Sequence, residues 1–238
     1  MIYDHNENTA EGFDSTSLRI QAEFINRVFG WMTAGLAVTG LIAWYLAAYH
    51  TGAIIRMGRG AWLLLLLEFA LVTGLSAAIR TIPPILALLG FLLYAALNGV
   101  TLSVIFLAFE FNSIAATFFV TSGTFGAMGL YGWLTKRDLT TMGNLCFMGL
   151  LGIIIASLVN LFLHNAMADM VISWIAVLIF VGLTAYDTQK IKVLAIAAGE
   201  GEISGDDKYK FAVLGALQLY LDFINLFLNL LRRFGRRR

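Results

Sequence analysis

Seven runs of nearly unbroken apolar residues, at approximately 26–49, 61–80, 85–108, 114–134, 143–163, 168–188 and 211–231, decide what this 238-residue chain can become. Each is long enough, or nearly so, to cross the roughly 30 Å hydrocarbon core of a bilayer, which takes about 20 helical residues. The runs are continuously apolar instead of alternating over about ten residues, so they read as helices and not as barrel strands. Each helix then pairs its own backbone polar groups. With 59% hydrophobic and 13% charged residues, little of the chain is left over for a soluble domain. The expected fold is an all-α polytopic membrane protein: a polar tail over 1–25, a seven-helix domain over 26–231 and a basic tail over 232–238.

The segments outside these runs carry less. Asp4, Glu7, Glu11 and Asp14 precede the first run without a basic n-region, so no signal peptide is expected and the first span serves as its own insertion signal. Residues 1–15 read as disordered, and Ser17–Arg27 as a short interfacial helix. The connections are short, as at the Ile82-Pro83-Pro84 corner, which makes consecutive helices antiparallel. One connection differs: Gln189–Lys210 holds Glu200, Glu202, Asp206, Asp207 and several lysines among glycines, and reads as a mobile charged linker. The lone Cys146 excludes an intrachain disulfide. With seven crossings, the basic residues divide nine on the N-terminal side against seven on the other. Three short connections vote for that side being cytoplasmic, and the arginine-rich tail votes against. A net charge of +1 gives no sign of nucleic-acid binding.

Function is sought where ionisable groups enter the apolar runs, because charge at membrane depth is costly and marks ion paths, proton relays or paired switches. Asp187 closes the run Trp174–Tyr186, and Asp222 lies inside Phe211–Leu231. Glu68 stands about 11 Å into the second span, and Arg80 about 18 Å further along the same helix. Arg80 and Asp187 then emerge at the same membrane face and are expected partners. Two carboxylates near one another in a low dielectric cannot both ionise cheaply, so Asp187 and Asp222 are expected to share a proton, with Arg80 latching Asp187 while it is charged. The plainer reading makes Asp187 an interfacial helix-end aspartate and Asp222 a satisfied buried polar group. Glu68 is a candidate for lining an ion path.

The remaining polar and small residues have structural readings. Thr121, Ser122, Gly123, Thr124, Gly126, Gly129 and Gly132, with Gly149 and Gly152, read as close helix packing, and Asn98, Asn160, Asn225 and Asn229 as interhelical hydrogen-bonding groups. The tryptophans fall mostly near span ends as interfacial anchors. Enzyme readings fare poorly. An intramembrane serine protease needs a histidine within the bundle, yet His5, His50 and His164 all lie at ends or in the tail. The last span has no lysine for a retinal Schiff base, and three scattered histidines build no zinc site. The sequence favours a non-enzyme without a bound cofactor.

The segment Val181-Gly-Leu-Thr-Ala-Tyr-Asp-Thr-Gln-Lys190, followed by Ala216-Leu-Gln-Leu-Tyr-Leu-Asp-Phe-Ile-Asn-Leu-Phe-Leu228, strongly resembles the signature of the Bax inhibitor family, also called the transmembrane Bax inhibitor motif family. The resemblance extends from about residue 20 onward, through Tyr131-Gly-Trp-Leu-Thr-Lys-Arg-Asp138, and is strongest to the bacterial branch. It implies a multi-pass protein of the bacterial inner membrane, seven helices with the last one central, and a pH-sensitive calcium leak. The family's paired aspartates map onto Asp187 and Asp222, its second-helix glutamate onto Glu68 and its latch arginine onto Arg80. This chain departs from some relatives in having a single arginine near that position and a longer charged loop between the aspartates.

These strands lead to a calcium leak channel gated by protonation of the Asp187–Asp222 pair with Arg80. Calcium is then transported cargo, held weakly by Asp187 and Asp222, since two or three carboxylates make no high-affinity site. The partners expected are membrane lipid and calcium ions. The alternative is a non-conducting modulator that binds another membrane complex, such as a membrane protease. A proton-coupled transporter is disfavoured by the absence of evident inverted repeats and internal prolines.

Overall fold

The computed structural model describes residues 4–57, 60–203 and 205–238. Arg59, counted above among the basic residues, lies outside them, as do residues 1–3 of the tail and Ser204 of the charged loop. The described chain is helical nearly throughout: α1 (Asp4–Tyr49), α2 (Thr51–Met57), α3 (Ala61–Ala78), α4 (Pro84–Ala108), α5 (Phe111–Leu134), α6 (Thr140–Leu163), α7 (Ala166–Gly199) and α8 (Asp206–Phe234). Six helices are long and apolar enough to cross a membrane, with Thr16–Tyr49 as the spanning part of α1. The second expected span is represented by the shorter apolar stretch Trp62–Ala78. The Pro83-Pro84 corner starts α4 by placing Pro83 at the N-cap and Pro84 in the first turn, where a missing N–H costs nothing.

α8 is the most enclosed of the long helices, with 67% of its most apolar window buried, and it packs against α1, α4, α5 and α7. Ala212, Ala216, Leu219, Tyr220, Phe223, Leu226 and Leu231 are buried on several faces of it. α6 lies at the other extreme. None of its window is buried, and it packs chiefly on α7. Close approach depends on glycine where backbones meet: a Cβ on Gly132 of α5 would collide with the carbonyl oxygen of Ala185 on α7, and one on Gly99 of α4 would come within 2.7 Å of the Thr39 carbonyl on α1. Gly123, Gly126 and Gly152 have open space at the same position, so the packing reading of the glycines holds for only part of the set.

Two expectations about the ends are corrected. Among the described residues, the N-terminal segment is one helix with no separate interfacial helix: α1 is continuous from Asp4, and Phe24, Val28 and Met32 form a buried stripe at fourfold spacing. The mobile charged linker is likewise mostly helix. α7 runs on to Gly199, and α8 begins at Asp206. Ile191, Ala195 and Ala198, spaced i, i+4, i+7, bury the extension, and Gly199 sits against Ser17 and Gln21 of α1. At 34 residues, α7 is about 51 Å long, well beyond the thickness of the hydrocarbon core.

Candidate functional site

The extension of α7 moves Asp187 from the end of a helix to its interior, twelve residues before Gly199, or about 18 Å. Asp222 lies sixteen residues past the start of α8, about 24 Å along a helix that leaves from the same end. The two depths nearly match, and the two aspartates line one cavity, near enough to act on each other electrostatically. Asp222 is 5% exposed, and its Oδ2 has no hydrogen-bond partner among the described residues. Ionised carboxylates are acceptors only, so a hydrogen bond between these groups exists only while one of them holds a proton.

Both aspartates line a cavity of about 560 Å³ between α6, α7 and α8. Asn144 comes to it from α6, Tyr186 and Lys190 from α7, and Gln218 and Asn225 from α8. Gln218, Asp222 and Asn225 follow the i, i+4, i+7 spacing of one helix face, a signal that could have assembled this wall from the sequence. The expected interhelical role of the asparagines is corrected in α8. Asn225 donates to Leu221 O at 2.8 Å and Asn229 to Asn225 O at 2.9 Å, both within their own helix. Asn98 likewise donates to Tyr94 one turn away, while Asn160 accepts from Asn165 N and so ties α6 to α7.

The arginine latch is not formed. Arg80 is exposed, its carbonyl accepts from Lys210 Nζ at 3.2 Å, and no ion pair joins its guanidinium to an aspartate among the described residues. Lys190, one turn further along α7, lines the same cavity as Asp187. Because α7 continues to Gly199, Asp187 lies inside the helix and not at its end, where it was expected beside Arg80. Glu68 is also elsewhere. It is 7% exposed, accepts from Thr101 Oγ1 at 2.5 Å and faces Tyr94 and Tyr220 across the α3–α4–α8 contact. There Tyr220 and Thr39 join their hydroxyls at 2.7 Å, and Thr39 Oγ1 donates to Ala95 O at 2.8 Å. Tyr220 and Asp222 are two residues apart, about 200° around the helix, so α8 stands between two separate polar clusters.

The Tyr-Asp-x-Gln segment has a second role that sequence reasoning missed. Gln189 accepts from Leu139 N and donates to Arg137 O, each at 2.8 Å, while Lys192 Nζ donates to Trp133 O at 2.7 Å. These bonds tie the α5–α6 connection to α7. Tyr186 packs so closely on Gly143 that a Cβ there would stand 2.5 Å from its ring. At the same connection, hydrogen bonds from the Thr140 side chain and backbone hold the Asp138 carboxyl below the usual aspartate range.

Residues 21–238 match the family described as "Inhibitor of apoptosis-promoting Bax1". The chain belongs to the Bax inhibitor family. Among relatives of this Bax inhibitor family protein, the "Inner membrane protein YbhL" of Escherichia coli K12 is 47% identical over 222 residues, covering 90% of this chain and 92% of that one. A protein of Borreliella burgdorferi is 44% identical over 228 residues, covering 94% and 97%. One of Deinococcus radiodurans is 40% identical over 208 residues, covering 87% and 88%. The Bax inhibitor family chain is thus a multi-pass membrane protein of inner-membrane type, in keeping with its apolar helices and with the membrane named for the Escherichia coli relative.

Proposed function

We propose that this protein is a pH-sensitive leak pathway for calcium across the inner membrane, gated by the protonation state of the Asp187–Asp222 pair. The observation that carries this reading is the placement of two aspartates in one cavity whose other polar groups include the amides of Asn144, Gln218 and Asn225. Calcium prefers carboxylate and carbonyl oxygens, and it needs six to eight of them to bind tightly. Among the described residues no group of three or more His, Cys, Asp or Glu side chains is disposed to hold a metal ion, which fits passage better than storage. A shared proton joins α7 to α8. When both groups ionise, repulsion parts them and leaves a doubly negative site open to a cation. Lys190 takes the position we assign to the latch, since it lines the same cavity one turn from Asp187.

We read the bundle as seven crossings with α8 at the centre. In support, side-chain and backbone contacts sort into two ends: Lys210 with Arg80 and Arg27 with Tyr209 at one, and Asp169 with Arg232 and Arg233 and Phe109 with Arg237 at the other.

The test is calcium flux into liposomes holding the purified protein, across pH about 5 to 8, for wild type, Asp187→Asn and Asp222→Asn. Flux that varies with pH in the wild type and loses that dependence in either variant supports the gate. No flux above empty liposomes from folded wild-type protein rejects conduction and favours the non-conducting modulator of another membrane complex.

A further inference from the structure

The second charged locus of the molecule is at the opposite end from α7's extension and takes no part in the aspartate cavity. Five arginines, Arg232, Arg233, Arg236, Arg237 and Arg238, close the sequence. A run of this kind is usually a loose tail, but here it is built into the fold. Glu110 N donates to Arg236 O and Arg238 N to Ala108 O, each at 3.0 Å, and Arg236 N donates to Ser113 Oγ at 3.1 Å. Phe109 and Arg237 form an antiparallel bridge. The backbone of 236–238 is therefore fixed across the connection between α4 and α5, and the three side chains stand exposed above it.

The charges on this patch are unequal. Asp169, in the first turn of α7, takes Arg232 and Arg233, each at 3.2 Å. Arg236, Arg237 and Arg238 make no ion pair among the described residues. The level of the patch relative to the membrane is marked by aromatic rings. Phe234 is 60% exposed and packs edge-on against Trp174 with centroids 5.7 Å apart, while Phe111 is 56% exposed at the start of α5. Tryptophan at the ends of apolar helices sits at headgroup level, and Trp174 supplies one here. The three arginines begin two residues after Phe234, beyond the apolar end of α8, where lipid phosphates would be met.

We infer that Arg236, Arg237 and Arg238 form a docking site for the phosphate groups of anionic phospholipids. Guanidinium groups match phosphate oxygens in bidentate geometry. The ordered backbone presents the three together, so less freedom is lost on binding than for a disordered basic tail. Bound lipid would brace the α4–α5 connection against the end of α8, the helix that carries Asp222.

The test compares thermal unfolding of the full chain in nanodiscs of phosphatidylcholine and of phosphatidylglycerol, for wild type and for R236Q/R237Q/R238Q, which keeps every backbone hydrogen bond. The wild-type midpoint is expected to be higher in the anionic lipid by on the order of 5 °C, and the variant to lose most of that rise while matching wild type in phosphatidylcholine. An equal rise in both proteins overturns the assignment, as does no rise in the wild type. Inorganic phosphate added to phosphatidylcholine nanodiscs must leave the wild-type midpoint where it was, and a full rise there would show a soluble-anion site instead of a lipid site. Should the triple variant not fold, the wild type decides through salt: the lipid difference must collapse at high ionic strength, and its persistence would reject an electrostatic lipid contact.

Discussion

At the scale of single residues, the chain places its few buried polar groups so that each has a distinct neighbour, and the neighbours, more than the residue types, separate their roles. Asp222 shares a cavity with Asp187, whereas Tyr220, on the other side of the same helix, meets Thr39. Gln189, two residues from Asp187, belongs to neither cluster and secures the α5–α6 connection with both ends of its amide. Gln189→Ala leaves the buried Leu139 N–H without its acceptor, and the expected loss is about 1–3 kcal/mol. A lower thermal midpoint in detergent, together with faster amide exchange confined to residues 135–140, would bear this out, whereas unchanged exchange there would show that the amide bonds are dispensable. Tyr220→Phe removes one buried hydroxyl, but Thr39 Oγ1 keeps its bond to Ala95 O, so the expected loss is smaller, about 1 kcal/mol.

At the scale of helices, glycine distinguishes contacts that the sequence pattern treats alike. Gly123 and Gly132 both belong to the small-residue stretch of α5, but only Gly132 is pressed against another backbone, at the Ala185 carbonyl of α7. Gly132→Ala is expected to cost about 1–3 kcal/mol, because rigid backbone cannot yield as a side chain does. Gly123→Ala meets open space and should leave stability equal or raise it by up to about 1 kcal/mol through helix propensity. Measuring both midpoints in one detergent tests the packing directly, and equal losses would place the α5–α7 contact elsewhere. α6 forms the outer wall of the aspartate cavity while resting chiefly on α7. That arrangement makes α6 and α8 the pair of walls whose separation would change access to the carboxyl groups.

At the scale of the whole molecule, seven crossings require the α7–α8 connection and the arginine tail to lie on opposite sides of the membrane. In a Cys146→Ser background, Glu202→Cys and Arg238→Cys should react with a membrane-impermeant maleimide from opposite faces of sealed vesicles, and labelling of both from one face would refute seven crossings. Much of this was legible beforehand. Runs of about twenty apolar residues can satisfy their backbone in lipid only as helices, so class and approximate spans follow from composition along the chain. The cost of charge at membrane depth singled out Asp187 and Asp222 in the same way. Helix ends and partners were less legible. Charged residues between 189 and 210 hid the Ile191, Ala195 and Ala198 stripe that carries α7 to Gly199, and with it the depth of Asp187. With that depth, Lys190 comes to line the same cavity as Asp187, while Arg80 forms no ion pair among the described residues. The sequence by itself determined a helical membrane protein with costly carboxyls at Glu68, Asp187 and Asp222, because solvation acts on each segment separately. Only the tertiary structure decided that Asp187 and Asp222 line one cavity, that Glu68 bonds Thr101 away from it and that the arginine tail is bound in place, because each depends on the register of helices far apart in the chain.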